Sequence, residues 1–382
     1  MKGKYRYTKK FKKIVAWVVT VAVSIAFILS CYLYFSPKIN IFNIEGAYAE
    51  RAVIVDMGDY VEDSYDEYSS AIQYFTARLK TGENKGALII GVQTFDNYTA
   101  INEAPAKVGD KVILYNYGTP IGGSDWIFGG YSRLDTMIVF AVIFILLLIL
   151  FGRIKGFNTI IALGFTCLAV FAVFIPAILS GQNVYLWTVI ICLYTIPMTL
   201  LITEGPTAKA LTTILGCTSG VAMAAILTIV LDKIMKLTGM IDEHSIYLMN
   251  FEPPINLNSL IFAMVVIGAM GAVMDVAMDI SSSLNELHVK LPDLSFKELY
   301  KSGINIGRDV MGTMANTLVL AYIGSSLCSV LLMITYSSNL RELLNREGII
   351  VELMNGLIGS CAILLTIPLT TIICGLLYTK KH

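Results

Sequence analysis

Two aspartates stand four residues apart where an apolar run turns polar, in IFAMVVIGAMGAVMDVAMDISSSLNE, residues 261–286. The fourteen residues Ile261–Met274 are apolar or glycine, as a membrane span requires. Asp275 and Asp279 follow. Four residues turn a helix about 400° and advance it about 6 Å, so both carboxylates fall on one face, one turn apart. An ionised carboxylate at hydrocarbon depth costs at least about 2.5 kcal/mol on insertion scales, so two on one stripe point to a membrane site that holds a cation or a proton. Gly268 and Gly271 precede them, where the missing side chains let another helix approach. Ser281, Ser282, Ser283 and Asn285 carry the polar character onward.

A second polar series opens the next apolar run: Asp309, Thr313, Asn316 and Thr317, with Gly307 and Gly312 between them. If the first span starts near Leu257 and runs inward, Asp275 lies about 27 Å down it. Asn316 and Thr317 lie about 12–14 Å into the returning span. Asp275, Asp279, Asp309, Thr313 and Asn316 then share a depth if the two helices are neighbours. Hard oxygen donors from two helices suit a metal cation or a proton, and the set names no particular metal. The plainer reading stands beside it. Asn316 and the threonines can join helices, and Asp279 and Asp309 can face water at the inner surface. A third group, Thr199, Thr203, Glu204, Gly205, Pro206, Thr207 and Lys209, surrounds a Gly-Pro break. Glu204 and Lys209 there form either an inner gate or an ordinary salt bridge at a tight interhelical turn.

Other chemistries find little support. There is no Walker motif, no dinucleotide-binding glycine pattern and no nucleophile elbow. An intramembrane aspartyl dyad needs carboxylates about 3 Å apart, which Asp275 and Asp279 on one helix do not readily reach. The expectation is therefore a non-enzyme without a cofactor. The seven cysteines all fall in apolar runs and make no CxxC, which favours small core residues over disulfides or a zinc site. The three histidines have no metal-ligand spacing, and the formal net charge of zero implies no nucleic-acid partner.

The elements that must position these groups are mostly membrane spans. Hydrophobic residues make up 56% of the chain, charged residues only 15%, and the mean hydropathy is +0.70. Soluble domains carry about 25% charged residues, so the chain reads as a polytopic membrane protein in contact with the lipid bilayer. Residues 1–13 form a basic N-terminus, and 14–35 an anchor too long for a signal peptide core. Residues 36–132 form a separate hydrophilic domain, and 133–379 a seven-helix membrane domain. Further spans are expected near 134–152, 157–180, 183–203, 208–231, 257–279, 309–336 and 349–378, about eight in all. Basic residues flank the N-terminus, the 279–309 loop and the tail, so the positive-inside rule puts both termini in the cytoplasm and residues 36–132 outside.

From Glu45 to Ser132 there are 13 acidic and 6 basic residues. Strand-like runs occur at 51–57, 72–80, 87–95 and 111–117. In the second, Phe75, Ala77 and Leu79 alternate with polar residues, and a hairpin turn at 81–86 leads to the third. The expectation is a small extracytoplasmic β-rich domain, an OB-like barrel, between helices 1 and 2. Its acidic cluster Glu62, Asp63, Asp66 and Glu67 reads better as a solvated loop than as a cation site. Residues 295–307 read as an interfacial amphipathic helix, 340–347 as a second one outside, and Glu352 as a carboxylate reaching for the outer surface.

GAMGAVMDVAMDISSSLNEL (268–287) and GRDVMGTMANTLVLAYIGSSL (307–327), supported by LITEGPTAK (201–209) and IPLTTIICGLLY (367–378), resemble the YibE/F-like family of bacterial membrane proteins. The resemblance covers roughly 134–378, and the N-terminal span with its β-rich domain looks like the longer, YibE-type member. It implies a multi-pass cell-membrane protein, often encoded beside a second, shorter relative as a partner, and supplies no substrate. The residues themselves favour a transporter or permease subunit with a carboxylate site for a cation or proton. The competing reading is a non-transporting envelope protein that binds a partner through its β-domain.

Overall fold

The computed structural model describes residues 2–36, 48–63, 70–96, 104–121, 124–242, 244–337 and 339–379. It contains two compact units, residues 40–148 and residues 1–39 with 149–382.

The first unit is built on a β-barrel. Strands β1 (Tyr48–Asp63), β2 (Ser70–Leu79), β3 (Leu88–Asp96), β4 (Lys111–Ile121) and β5 (Ser124–Tyr131) close in the order β1-β2-β3-β5-β4. Every neighbouring pair is antiparallel except β3 with β5. Period-2 alternation does the sorting: Ala52, Ile54, Phe75, Ala77, Leu79, Val112 and Leu114 all point inward and are buried. The turn after β2 delivers Arg78 opposite Leu88, as its glycines foretold. Four strands were expected and the fifth, β5, was not. Its sequence SDWIFGGY lacks alternation and holds Gly129-Gly130 just before its last residue, where Gly129 lies under the Tyr115 ring. Of the acidic cluster, Asp66 and Glu67 and the side chains of Glu62 and Asp63 lie outside the described residues.

Helices make up the rest: α1 (Lys2–Phe35), α2 (Leu134–Leu168), a π-helical turn (Ala169–Phe174) leading to α3 (Ile175–Leu179), α4 (Val184–Thr203), α5 (Ala208–Met235), the short α6 (His244–Met249), α7 (Leu257–Lys290), α8 (Phe296–Thr335), the short α9 (Leu340–Leu343) and α10 (Glu347–Thr379). Among the described residues seven helices are long and apolar enough to cross a membrane, where about eight were expected. The difference lies at 134–179. These residues run as one 46-residue stretch, about 69 Å at 1.5 Å per residue and roughly twice a hydrocarbon core of about 30 Å. Its helix is broken only at Arg153, whose backbone is non-helical (φ 49°, ψ −125°). The expected interfacial helix at 295–307 is likewise not separate: it is the start of the 40-residue α8. The second expected outer helix shrinks to the four residues of α9.

The packed centre of the membrane unit is α7, surrounded by α10, α5, α8 and α4. Its buried face, Val265, Val266, Ala269, Val273 and Ala277, meets Met354, Ile358 and Ala362 of α10. Lipid tails are as apolar as leucine, so helices in a bilayer associate through close packing and polar contacts. Here α10 lies between two glycine pairs. Gly216 and Gly220 of α5 face Thr370 and Thr366, while Gly303 and Gly307 of α8 face Thr371 and Ile367. A Cβ at any of the four would collide with α10.

Candidate functional site

Helix α7 starts on Asn256, whose side chain accepts from the Ser259 amide, and continues unbroken to Lys290. Its apolar residues sort to one side. The opposite side exposes Met264, Gly268, Gly271, Asp275, Asp279 and Glu286 in a single stripe at helical spacing. Both aspartates therefore point away from the packed centre. They lie within Coulombic reach of each other, and Asp275 also within reach of Cys217 on α5.

Helix α8 begins with a capping box, in which the Ser295 hydroxyl and the Glu298 carboxylate exchange bonds with each other's backbone amides. Its buried side is Leu299, Gly303 and Gly307. Its exposed side carries Asp309, Gly312, Thr313, Asn316, Thr317 and Leu320. The Thr313 hydroxyl donates to the Val310 carbonyl, and that of Thr317 to the Thr313 carbonyl. Two contacts fix the antiparallel register of α7 and α8. Gly303 lies by Leu284, and Gly268 lies under the Tyr322 hydroxyl. Between these points Asp275 comes level with Thr313 and Asp279 with Asp309, each to within about one turn. Asp275, Asp279, Asp309, Thr313 and Asn316 thus lie along the same stretch of the two neighbouring helices. Among the described residues no hydrogen bond or ion pair joins the α7 aspartates to Asp309, Thr313 or Asn316, and no three acidic, histidine or cysteine side chains cluster at metal-binding distance.

The glycines divide differently from expectation. Gly268 is a close-approach point, but Gly271 and Gly312 face open space, and Gly307 serves the contact with α10 rather than α7.

Glu204 and Lys209 do meet, at 3.1 Å, with side chains only 22% and 17% exposed. Glu204 caps the end of α4, Gly205 turns the chain with φ +74°, and Thr207 caps the start of α5 by accepting from the Ala210 amide.

Sequence reasoning missed one group. Glu352 on α10 does not reach freely for the surface. It is half-buried in the wall of a cavity of about 320 Å³ shared with Val319, Ser326, Leu353 and Leu357. Asn355, one turn on, and Tyr322 of α8 lie within electrostatic reach of it. The i, i+3 spacing of Glu352 and Asn355 inside an apolar run was the available signal. The Tyr322 hydroxyl therefore stands between Gly268 on the aspartate stripe and Glu352.

A family model described as YibE/F-like protein matches residues 140–380, more than half of the chain. No curated protein and no solved structure matches it.

Proposed function

The chain belongs to the YibE/F-like family, and on that premise we propose that this multi-pass membrane protein is a transporter or permease subunit. Its working site is the aspartate stripe of α7. The observation that carries this reading is the pair Asp275 and Asp279, one turn apart within a membrane-spanning helix and level with Thr313 and Asp309 of α8. A carboxylate held at that depth must be protonated, paired or bound to a cation, and a group that exchanges among those states is what a coupled carrier uses. Asp309, Thr313 and Asn316 supply further oxygen donors, and Glu204 with Lys209 acts as an ionic latch at the α4–α5 turn.

The stripe faces outward, so something other than acyl chains covers it in the working assembly. Water or a second membrane protein, such as a shorter relative of the same family, meets that requirement. We read the protein as a non-enzyme that resides in the cell membrane with both termini cytoplasmic. The membrane domain spans 133–379 and residues 36–132 lie outside. The long stretch 134–179 crosses twice, turning at Arg153. The barrel is OB-like in its strand order and in its parallel β3–β5 pair. That closed barrel also keeps the alternative alive, an envelope protein that binds a partner through it without transport. A flux screen separates the two. The purified protein in liposomes, with pH gradients and monovalent and divalent cations varied in turn, carries a proton or cation flux above empty liposomes if the first reading holds. Absence of flux under every gradient favours the second.

A further inference from the structure

The outward face of α8 is polar along a stretch where lipid contact alone would favour apolar side chains. Arg308, Asp309, Gly312, Thr313, Asn316 and Thr317 are all exposed there and recur at helical spacing. The hydroxyls of Thr313 and Thr317 are satisfied by carbonyls of their own helix. Asn316 has no such partner: among the described residues nothing hydrogen-bonds its amide. It stands about 12 Å along the helix from Arg308, at hydrocarbon depth. An amide at that depth is cut off from water and must be satisfied by protein. Gly312, one turn earlier, has nothing within 4 Å of where a Cβ would stand, which lets a neighbouring helix approach to backbone contact. Arg308 and Asp309 close the face, and neither is ion-paired among the described residues.

The face is complementary to itself, and that identifies its occupant. Two copies of one membrane protein share a topology, so a two-fold axis along the membrane normal sets α8 beside α8 in parallel and each residue near its own copy. A lone carboxylate or ammonium would repel its copy there. A carboxamide carries both donors and an acceptor, so Asn316 can exchange two hydrogen bonds with Asn316 of the second copy. Arg308 and Asp309 are adjacent and opposite in sign, so each charge finds its complement across the axis. We propose that this face of α8 pairs two copies of the chain, through a reciprocal Asn316 amide pair and close approach at Gly312. A single asparagine in an apolar seam is a known means of fixing one pairing register. The exchange leaves each carboxamide one N–H and one oxygen lone pair free. The stripe of Asp275 and Asp279 borders this face where Gly268 meets Tyr322, so the second copy also walls the open side of that stripe. The pairing does not depend on transport, and its test reads no flux.

The test joins native mass spectrometry of the full-length detergent-solubilised protein with cysteine cross-linking in membranes. The unsubstituted protein should give the mass of two chains. With the native cysteines replaced, Gly312→Cys should form a linked dimer on oxidation, whereas Ile229→Cys, exposed on α5, should not. Asn316→Leu and Gly312→Leu should each weaken pairing about tenfold. Gly312→Leu has open space around it within one chain, so it acts on pairing and decides the matter if Asn316→Leu fails to insert. A monomer at every concentration, a dimer indifferent to both substitutions, or pairing only with a different membrane protein would overturn the proposal.

Discussion

The hydroxyl of Tyr322 on α8 rests against Gly268 on α7, and this contact sets the level at which the two helices meet. It ties the cavity of Glu352 to the aspartate stripe. A larger side chain at Gly268 must displace the Tyr322 ring, or α8 with it. Gly268→Leu should lower stability by about 1–3 kcal/mol and with it the midpoint of thermal unfolding in detergent. Gly271→Leu, one turn on with nothing within 4 Å, should leave the midpoint unchanged. Equal effects of the two would show that the contact does not hold the helices in register.

The Glu204–Lys209 pair is mostly withdrawn from solvent. Removing one partner of such a pair strands the other charge. Lys209→Met should therefore cost about 1–3 kcal/mol, and Glu204→Gln a similar amount. The exchanged pair Glu204→Lys with Lys209→Glu should recover part of the loss. Thermal unfolding of the four proteins checks this, and a double exchange no better than the singles would deny the pair a structural role.

Much of this architecture was legible in the sequence because its signals are local. The alternation of Phe75, Ala77 and Leu79 sufficed for β2, and the four-residue spacing of Asp275 and Asp279 sufficed for their common face. Their outward direction was not legible. It follows from where α10 and α5 attach, and that is written in Gly216, Gly220, Gly303 and Gly307, whose partners on α10 are 60 or more residues away. The π-helical turn before Pro176 leaves no compositional mark, whereas the break at Arg153 falls where the spans 134–152 and 157–180 were expected to part. Strand β5 escaped because a short strand with two adjacent glycines near its end has no alternation to read.

The barrel unit has its own core of Ile54, Phe75, Leu79 and Leu114. Residues 40–132 expressed alone should be soluble and should give a β-rich circular dichroism spectrum. A mainly helical or disordered spectrum would mean that the barrel depends on the membrane unit.

Topology has an independent test. Glu83 lies in the exposed turn after β2, and Lys290 ends α7. With the native cysteines replaced, Glu83→Cys in intact cells should react with an impermeant thiol reagent, while Lys290→Cys should react only after the membrane is opened. Reaction of both in intact cells contradicts a cytoplasmic 279–309 segment.

The most direct measurement concerns Asp275. Asp275→Asn keeps the shape of the side chain, removes its charge and can still hydrogen-bond between helices. Flux through reconstituted protein should be abolished by Asp275→Asn and reduced less by Asp279→Asn, with membrane abundance and unfolding midpoint unchanged in both. Full flux through Asp275→Asn at normal abundance would contradict the account, because the carboxylate on which the carrier reading rests would then be doing nothing.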